Sequence, residues 1–133
     1  MKYGLSLVAG ATLLFASYAA SAMSGVAATT FILHAGPGDN FPEVSSVPAT
    51  APLQIYGCIE GYRWCDVMWK NQRGWTTGDT LKYEYRGRPI KLYDAGSSTD
   101  IPVVVFKGDS YWHDYYADRP FYRDRDRYIV IKP

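Results

Sequence analysis

The chain has 133 residues, with 14 basic and 13 acidic side chains, two histidines and a formal charge of +1. Nothing in so even a balance drives it toward nucleic acid or an acidic lipid surface. Its length sets it at one domain, or a small domain with an extension.

The first 22 residues read as a signal peptide. Lys2 supplies a positive start, Leu5 to Ala16 an apolar stretch, and Ala20-Ser21-Ala22 a small-x-small cleavage site. An uncleaved anchor is the rival, because Leu5 to Met23 carries no charge and nearly reaches the ~20 residues a bilayer-spanning helix needs. The serines, glycines and small C-terminal residues favour cleavage. Removing residues 1–22 takes away only Lys2 among the charged residues, leaving 13 basic against 13 acidic side chains. The expectation is a periplasmic or secreted protein without a stable membrane span after cleavage.

From Thr29 to Leu33 β-branched and aromatic residues predict a first strand. Ala35-Gly36-Pro37-Gly38-Asp39-Asn40-Phe41-Pro42 is then a stiff arm, in which Gly36 and Gly38 permit positive φ while Pro37 and Pro42 fix φ and remove donors. Glu43 to Val47 is short and extended, and Leu53 to Tyr56 alternates in polarity. Ile59 to Arg63, with Gly61, predicts a hairpin turn, with Trp64 to Trp69 as its return strand. Lys70-Asn71-Gln72-Arg73 is a polar turn, and Gly74 to Thr77 begins another strand. Short strands at about ten-residue spacing argue for an all-β barrel or sandwich.

Both cysteines, Cys58 and Cys65, lie in the exported part, close together in the chain. Export to an oxidising compartment points to a disulfide between them. A free nucleophile or half of a metal site would each need a neighbouring His. The pairing requires both side chains on one face. Cys65 shares the parity of the core candidate Val67, whereas Cys58 shares that of Tyr56 rather than Ile55, so a bulge is the way to reconcile them.

Residues 84–133 change character. Arg86, Arg88 and Lys91 form a basic connector, and Gly96-Ser97-Ser98 a loop. Ile101 to Phe106 is too apolar for water, so it is expected to be a strand packed on the barrel. Tyr111, Trp112, Tyr115 and Tyr116 fall along one side of a short helix, with Asp109 or Ser110 as N-cap. Arg119-Pro120 ends it. On a helix, residues 123–127 would form Arg123–Asp126 and Asp124–Arg127 pairs. Tyr128 to Ile131 is predicted as a last strand.

Residues from about Ala28 to Tyr83 resemble the bacterial Src-homology-3 domain family of exported and cell-wall-associated proteins. The likeness is carried by Gly36-Pro37-Gly38 with Phe41-Pro42, by Val44 and Val47, and by Leu53-Gln54-Ile55. Tyr62-Arg63-Trp64-Cys65-Asp66-Val67, Arg73-Gly74-Trp75 and Leu81 complete it. The chain departs from the family at Ile32-Leu33-His34-Ala35, where Asn-Val-Arg-Ser is common, and at Ala51-Pro52 in place of Gly-Thr. The tail looks like the C-terminal extension of small exported Gram-negative proteins. The resemblance implies a mainly β fold: a small Src-homology-3-like barrel over 28–83 plus an extension over 84–133 with a strand and one or two short helices. It also implies binding of a cell-wall peptide or another extended chain in a shallow groove.

Catalysis is not expected. His34 and His113 are the only bases of suitable pKa, a hydrolase would have to use His34, and no serine lies in a Gly-x-Ser-x-Gly setting. No ligand spacing supports a metal, and Gly36-Pro37-Gly38 is no phosphate loop, so no cofactor is expected. The positive case is aromatic. Trp75, Val67, Ile55 and Leu53 are assigned to the core, while Phe41, Tyr62 and Trp64 flank loops where rings can stack on a sugar or an extended peptide. Asp39, Asn40 and Asp66 add hydrogen bonds, and Asp66 on an outward position could meet an amine. Asp39, Asn40, Phe41, Tyr62, Trp64 and Asp66 are the predicted ligand-binding set, with a cell-wall peptide or glycan as partner. The alternative is an envelope protein partner, with the aromatic tail docking it or covering the groove.

Overall fold

The structure is a computed structural model that describes residues 22–95 and 99–129. The leader, the Gly96-Ser97-Ser98 loop and the end of the expected last strand lie outside the described residues. Eight antiparallel strands form one curled half-barrel sheet: β1 (Met23–Ala27), β2 (Phe31–His34), β3 (Glu43–Val47), β4 (Pro52–Cys58), β5 (Trp64–Trp69), β6 (Gln72–Thr77), β7 (Leu81–Tyr85) and β8 (Arg88–Lys91). Their order in the sheet is β3-β2-β6-β5-β4-β1-β7-β8. The extension adds α1 (Leu92–Ala95), α2 (Gly108–Tyr116), a 3-10 turn at Pro120–Asp124 and α3 (Arg125–Tyr128). Among the described residues no helix is long and apolar enough to cross a membrane.

The sheet reaches past the predicted 28–83 on both sides. β1, just after the expected cleavage site, lies between β4 and β7, and Gly25 pairs with both Leu53 and Tyr83. A Cβ at Gly25 would come within 2.6 Å of Ile55 Cδ1, so a larger residue there would displace the buried Ile55 side chain. The basic connector proves to be a hairpin. Tyr85 pairs with Arg88 around Arg86-Gly87, both at positive φ, the twist-compatible two-residue turn. Lys70-Asn71 does the same between β5 and β6, so β6 begins at Gln72 rather than Gly74.

Alternation along the strands separates two faces. Leu33, Val47, Leu53, Ile55, Val67 and Leu81 are buried inside the curl. The expected bulge exists. Ile55 pairs with Val67 and Gly57 with Asp66, leaving Tyr56 as the extra residue and bringing Cys58 opposite Cys65 in a disulfide.

The extension differs from expectation in detail. Residues 101–106 form no strand but an extended strap, bridged in parallel at Val103 to Cys58, with Val103 56% and Val105 78% exposed. Helix α2 has its N-cap at Lys107 rather than at Asp109 or Ser110, and so has no side-chain cap. The Arg-Asp run is split where the 3-10 turn meets α3, with Asp124 at φ −99° and ψ 17°, and neither expected ion pair forms.

Candidate functional site

The pairing of β5 with β6 fixes what their outer face carries. Trp64 lies opposite Thr77, Asp66 opposite Trp75, and Met68 opposite Arg73, so these six side chains share the face turned away from the curl. Val67 and Gly74 occupy the inward row, where a Cβ on Gly74 would lie 3.1 Å from Leu33 Cβ. Trp75, assigned to the barrel core, is therefore buried on the opposite side of the sheet. Its cover is the tail: Phe106 and Tyr111 lie 5.5 and 5.7 Å from its ring.

At this end of the face, Arg73 donates from Nε and Nη2 to the two carboxylate oxygens of Asp66, both at 2.8 Å. Tyr111 donates to Asp66 Oδ1 at 2.6 Å, and Arg73 Nη1 donates to Tyr115 at 2.7 Å. The guanidinium also lies 3.6 Å from the ring centre of Tyr56, which the bulge turns outward. Burial pushes the Asp66 carboxyl above its ordinary pKa, and the bonds from Arg73 and Tyr111 pull part of that back. Burial disfavours the Arg73 cation too, but Asp66 outweighs this and holds it above its usual value. Tyr116 donates to the Arg73 carbonyl at 2.9 Å, and Trp112 Nε1 to the Ala35 carbonyl at 2.7 Å. Tail and arm are thereby joined.

The strap reaches this tail over the disulfide. Cys58 donates from its backbone to Pro102 at 3.0 Å, and Val104 donates back to Cys58 at 2.8 Å. Val104 packs into the notch left by Gly57, and the Tyr62 hydroxyl donates to Ile101 at 3.1 Å.

The other end of the same outer face is open. Trp64 and Thr77 form the floor of a cleft of about 310 Å³, with Asp39 from the arm, Arg63, Asp79 and Tyr93 around it. His34 meets the Trp64 ring edge-on at 6.0 Å, its own ring fixed by an Nδ1–H bond of 3.0 Å to the Phe41 carbonyl. The Gly78 amide donates to Arg63 O at 3.0 Å, and Thr77 donates to Asp79 Oδ1 at 2.5 Å. The first bond holds the Arg63 and Asp79 segments side by side, and the second restrains the Asp79 carboxylate. Helix α1 presents Tyr93, half its surface exposed, while Leu92 beside it is buried. Another depression, over Val26, Tyr83 and Pro89, is mostly apolar and lies on β1, β7 and β8, apart from the arm.

The predicted ligand-binding residues are thus divided. Asp39 and Trp64 meet in the cleft, and Asn40 is exposed beside them on the arm. Phe41 is half-buried, folded over Gly36 and under Phe106 and Tyr128. Gly36 serves that contact, since neither it nor Gly38 has positive φ. Tyr62 is buried at 8% exposure and bonded to the strap. Asp66 does sit on an outward strand position, but the tail seals it to 6% exposure against Arg73. Sequence reasoning missed Arg63, Thr77, Asp79 and Tyr93. The first two were legible from the hairpin register, whereas Tyr93 arrives only through the fold of the extension.

Comparison of the chain with protein-family models, curated proteins and solved structures finds no match.

Proposed function

We propose that this is an exported, non-catalytic binding module of the bacterial Src-homology-3 type, and that its open cleft takes peptidoglycan or a cell-wall peptide. The cleft carries the argument. Two aromatic side chains, Trp64 on its floor and Tyr93 at its side, line it with two carboxylates and one guanidinium, beside the arm whose sequence resembles that family. Rings of this kind stack on sugar or peptide, and charges of both signs suit a ligand that is itself both amine and acid. The leader-like first 22 residues and the disulfide fit an exported, oxidised setting.

A pull-down with purified sacculi tests it, comparing the protein with its Trp64→Ala and Asp79→Asn variants. Retention of the parent with loss in both variants is the expected outcome. Equal retention of all three, or none at all, removes the cleft from the account.

A second reading has support of its own. Val103 and Val105 stand exposed on the strap beside the disulfide, a place for an envelope protein to dock. In that case Val105→Asp, and not Asp79→Asn, abolishes co-purification of the partner.

A further inference from the structure

We infer that the cleft recognises an amino-acid head group, an ammonium and a carboxylate on one carbon, and so reads the free end of a diamino acid in a peptide that has not been cross-linked. The inference rests on the binding reading above and narrows it to one chemistry.

Three observations carry it. First, the charges are free. Among the described residues the ion pairs are Asp66–Arg73 and His113–Asp114, so Arg63, Asp39 and Asp79 have no ionic partner although they line one cleft. Arg73, Arg86 and Arg125 each stack on a tyrosine; Arg63 has no such ring. An unpartnered guanidinium suits a carboxylate, which it can grip with two parallel bonds, and the carboxylates suit an ammonium.

Second, the two signs are held in register. Trp64 pairs with Thr77, and the Gly78 amide bonds to Arg63 O, so residue 63 and residue 79 leave adjacent strand ends. Thr77 further restrains the Asp79 carboxylate, and a preformed anion loses little freedom on binding. A lone cation or a lone anion would satisfy one side of the cleft and leave the other opposed to nothing.

Third, the walls leave room for a short aliphatic stem. His34 meets Trp64 edge-on and Tyr93 is half exposed, so two aromatic side chains line the cleft and offer apolar surface to a methylene chain leading from the head group back to a peptide. Acylation of the amine, as happens in a cross-link, would convert the ammonium to a neutral amide and remove the charge that Asp39 and Asp79 attract.

The test uses isotopically labelled protein and NMR titration with four probes: free meso-diaminopimelate, a cell-wall tripeptide ending in it, the same tripeptide acetylated on the distal amine, and the tripeptide amidated on the distal carboxyl. The expected result is shifts of the Trp64, Thr77 and Asp79 amides with the first two probes. At least about tenfold weaker binding is expected for each blocked probe, and the same loss for Arg63→Gln and Asp79→Asn with the unmodified tripeptide. Arg63 and Asp79 are exposed, so both variants should keep the parent spectrum elsewhere. Equal affinity for blocked and unblocked tripeptides overturns the inference while the cell-wall reading stands. Sacculus retention without any shift from the four probes does the same. Failure of both sacculi and probes removes the two together.

Discussion

Arg73 grips Asp66 with two parallel bonds of 2.8 Å, and the tail helix then closes over both, placing Tyr111 on the carboxylate and Tyr115 on the guanidinium. Side-chain exposure falls to 14% for Arg73 and 9% for Asp66. A desolvated pair of this kind adds little net stability against an apolar substitute, but removing one partner strands the other. Arg73→Ala is therefore expected to cost about 3–5 kcal/mol in urea unfolding. Arg73→Lys should not rescue it, because an ammonium reproduces neither the fork nor the stack on Tyr56. The double variant Asp66→Asn, Arg73→Met should lose less than the two single changes together, since each single change strands a buried charge and the double change leaves none. Strict additivity would mean that the pair does not act as a unit.

The same interface makes the fold sensitive to alkali. Burial pushes the Tyr111 hydroxyl well above the ordinary tyrosine value, helped by the adjacent Asp66 carboxylate, and burial raises Tyr116 likewise. A phenol raised in the folded state favours folding while it stays neutral. That contribution is full below the unfolded value of about 10 and shrinks as pH rises beyond it. Between pH 9.5 and 11.5 the melting temperature should fall, and the phenolate absorbance of the two rings should appear only as the protein unfolds. In the double variant Tyr111→Phe, Tyr116→Phe the fall should be shallower. An unchanged slope would detach the effect from these rings.

How far the chain could be read in advance depended on where its side chains found cover. β2 to β6 were legible because alternation and turn residues agree there, and the parity clash between Cys58 and Ile55 pointed to the bulge; of β7 only Leu81 was singled out, through the resemblance. β1 was missed, since Met23-Ser24-Gly25-Val26-Ala27 offers small residues and little contrast, and what it packs against lies some thirty residues on. β8 was hidden by its charges, which suit an edge strand. The candidate site was half legible. Trp64 and Asp39 follow from the arm and the hairpin, but whether Asp66 and Phe41 face solvent depends on where the tail docks, which the aromatic spacing of its helix does not specify. The expectation that alternate strand positions fill the barrel also put Trp75 inside it, where Gly74 in fact holds the inward position against Leu33.

Two tryptophans on opposite sides of this division should respond differently to truncation. Trp112 is fully buried, packs on Tyr116, Phe121 and Tyr128, and donates its indole N–H to the arm at Ala35. Trp112→Ala should cost about 3–5 kcal/mol, the range for deleting a large core ring. Trp64 is only half-buried, at the floor of the open cleft, so Trp64→Ala should lower stability by about 1 kcal/mol or less while abolishing ligand-induced shifts. Thermal unfolding and titration on the same pair of variants separate the two roles. A severe stability loss at Trp64 would make it a structural ring.

The disulfide supports more than its own hairpin. Cys58 and Cys65 face each other seven residues apart, so in the chain-entropy description their link is worth about 2–3 kcal/mol. Cys58 is also where the strap attaches, through the bonds from its amide to Pro102 and from Val104 to its carbonyl, with the Val104 side chain in the notch at Gly57. Replacing both cysteines by alanine should therefore do two things. Global stability should fall by about 2–3 kcal/mol, as denaturant unfolding would show. In addition, hydrogen exchange at the Val104 and Cys58-position amides should speed up by more than that global loss requires, because the hairpin end that holds the strap is freed to open locally. Equal acceleration at Val104 and at a barrel amide such as Val67 would show that the strap follows the whole fold and is not held at this corner.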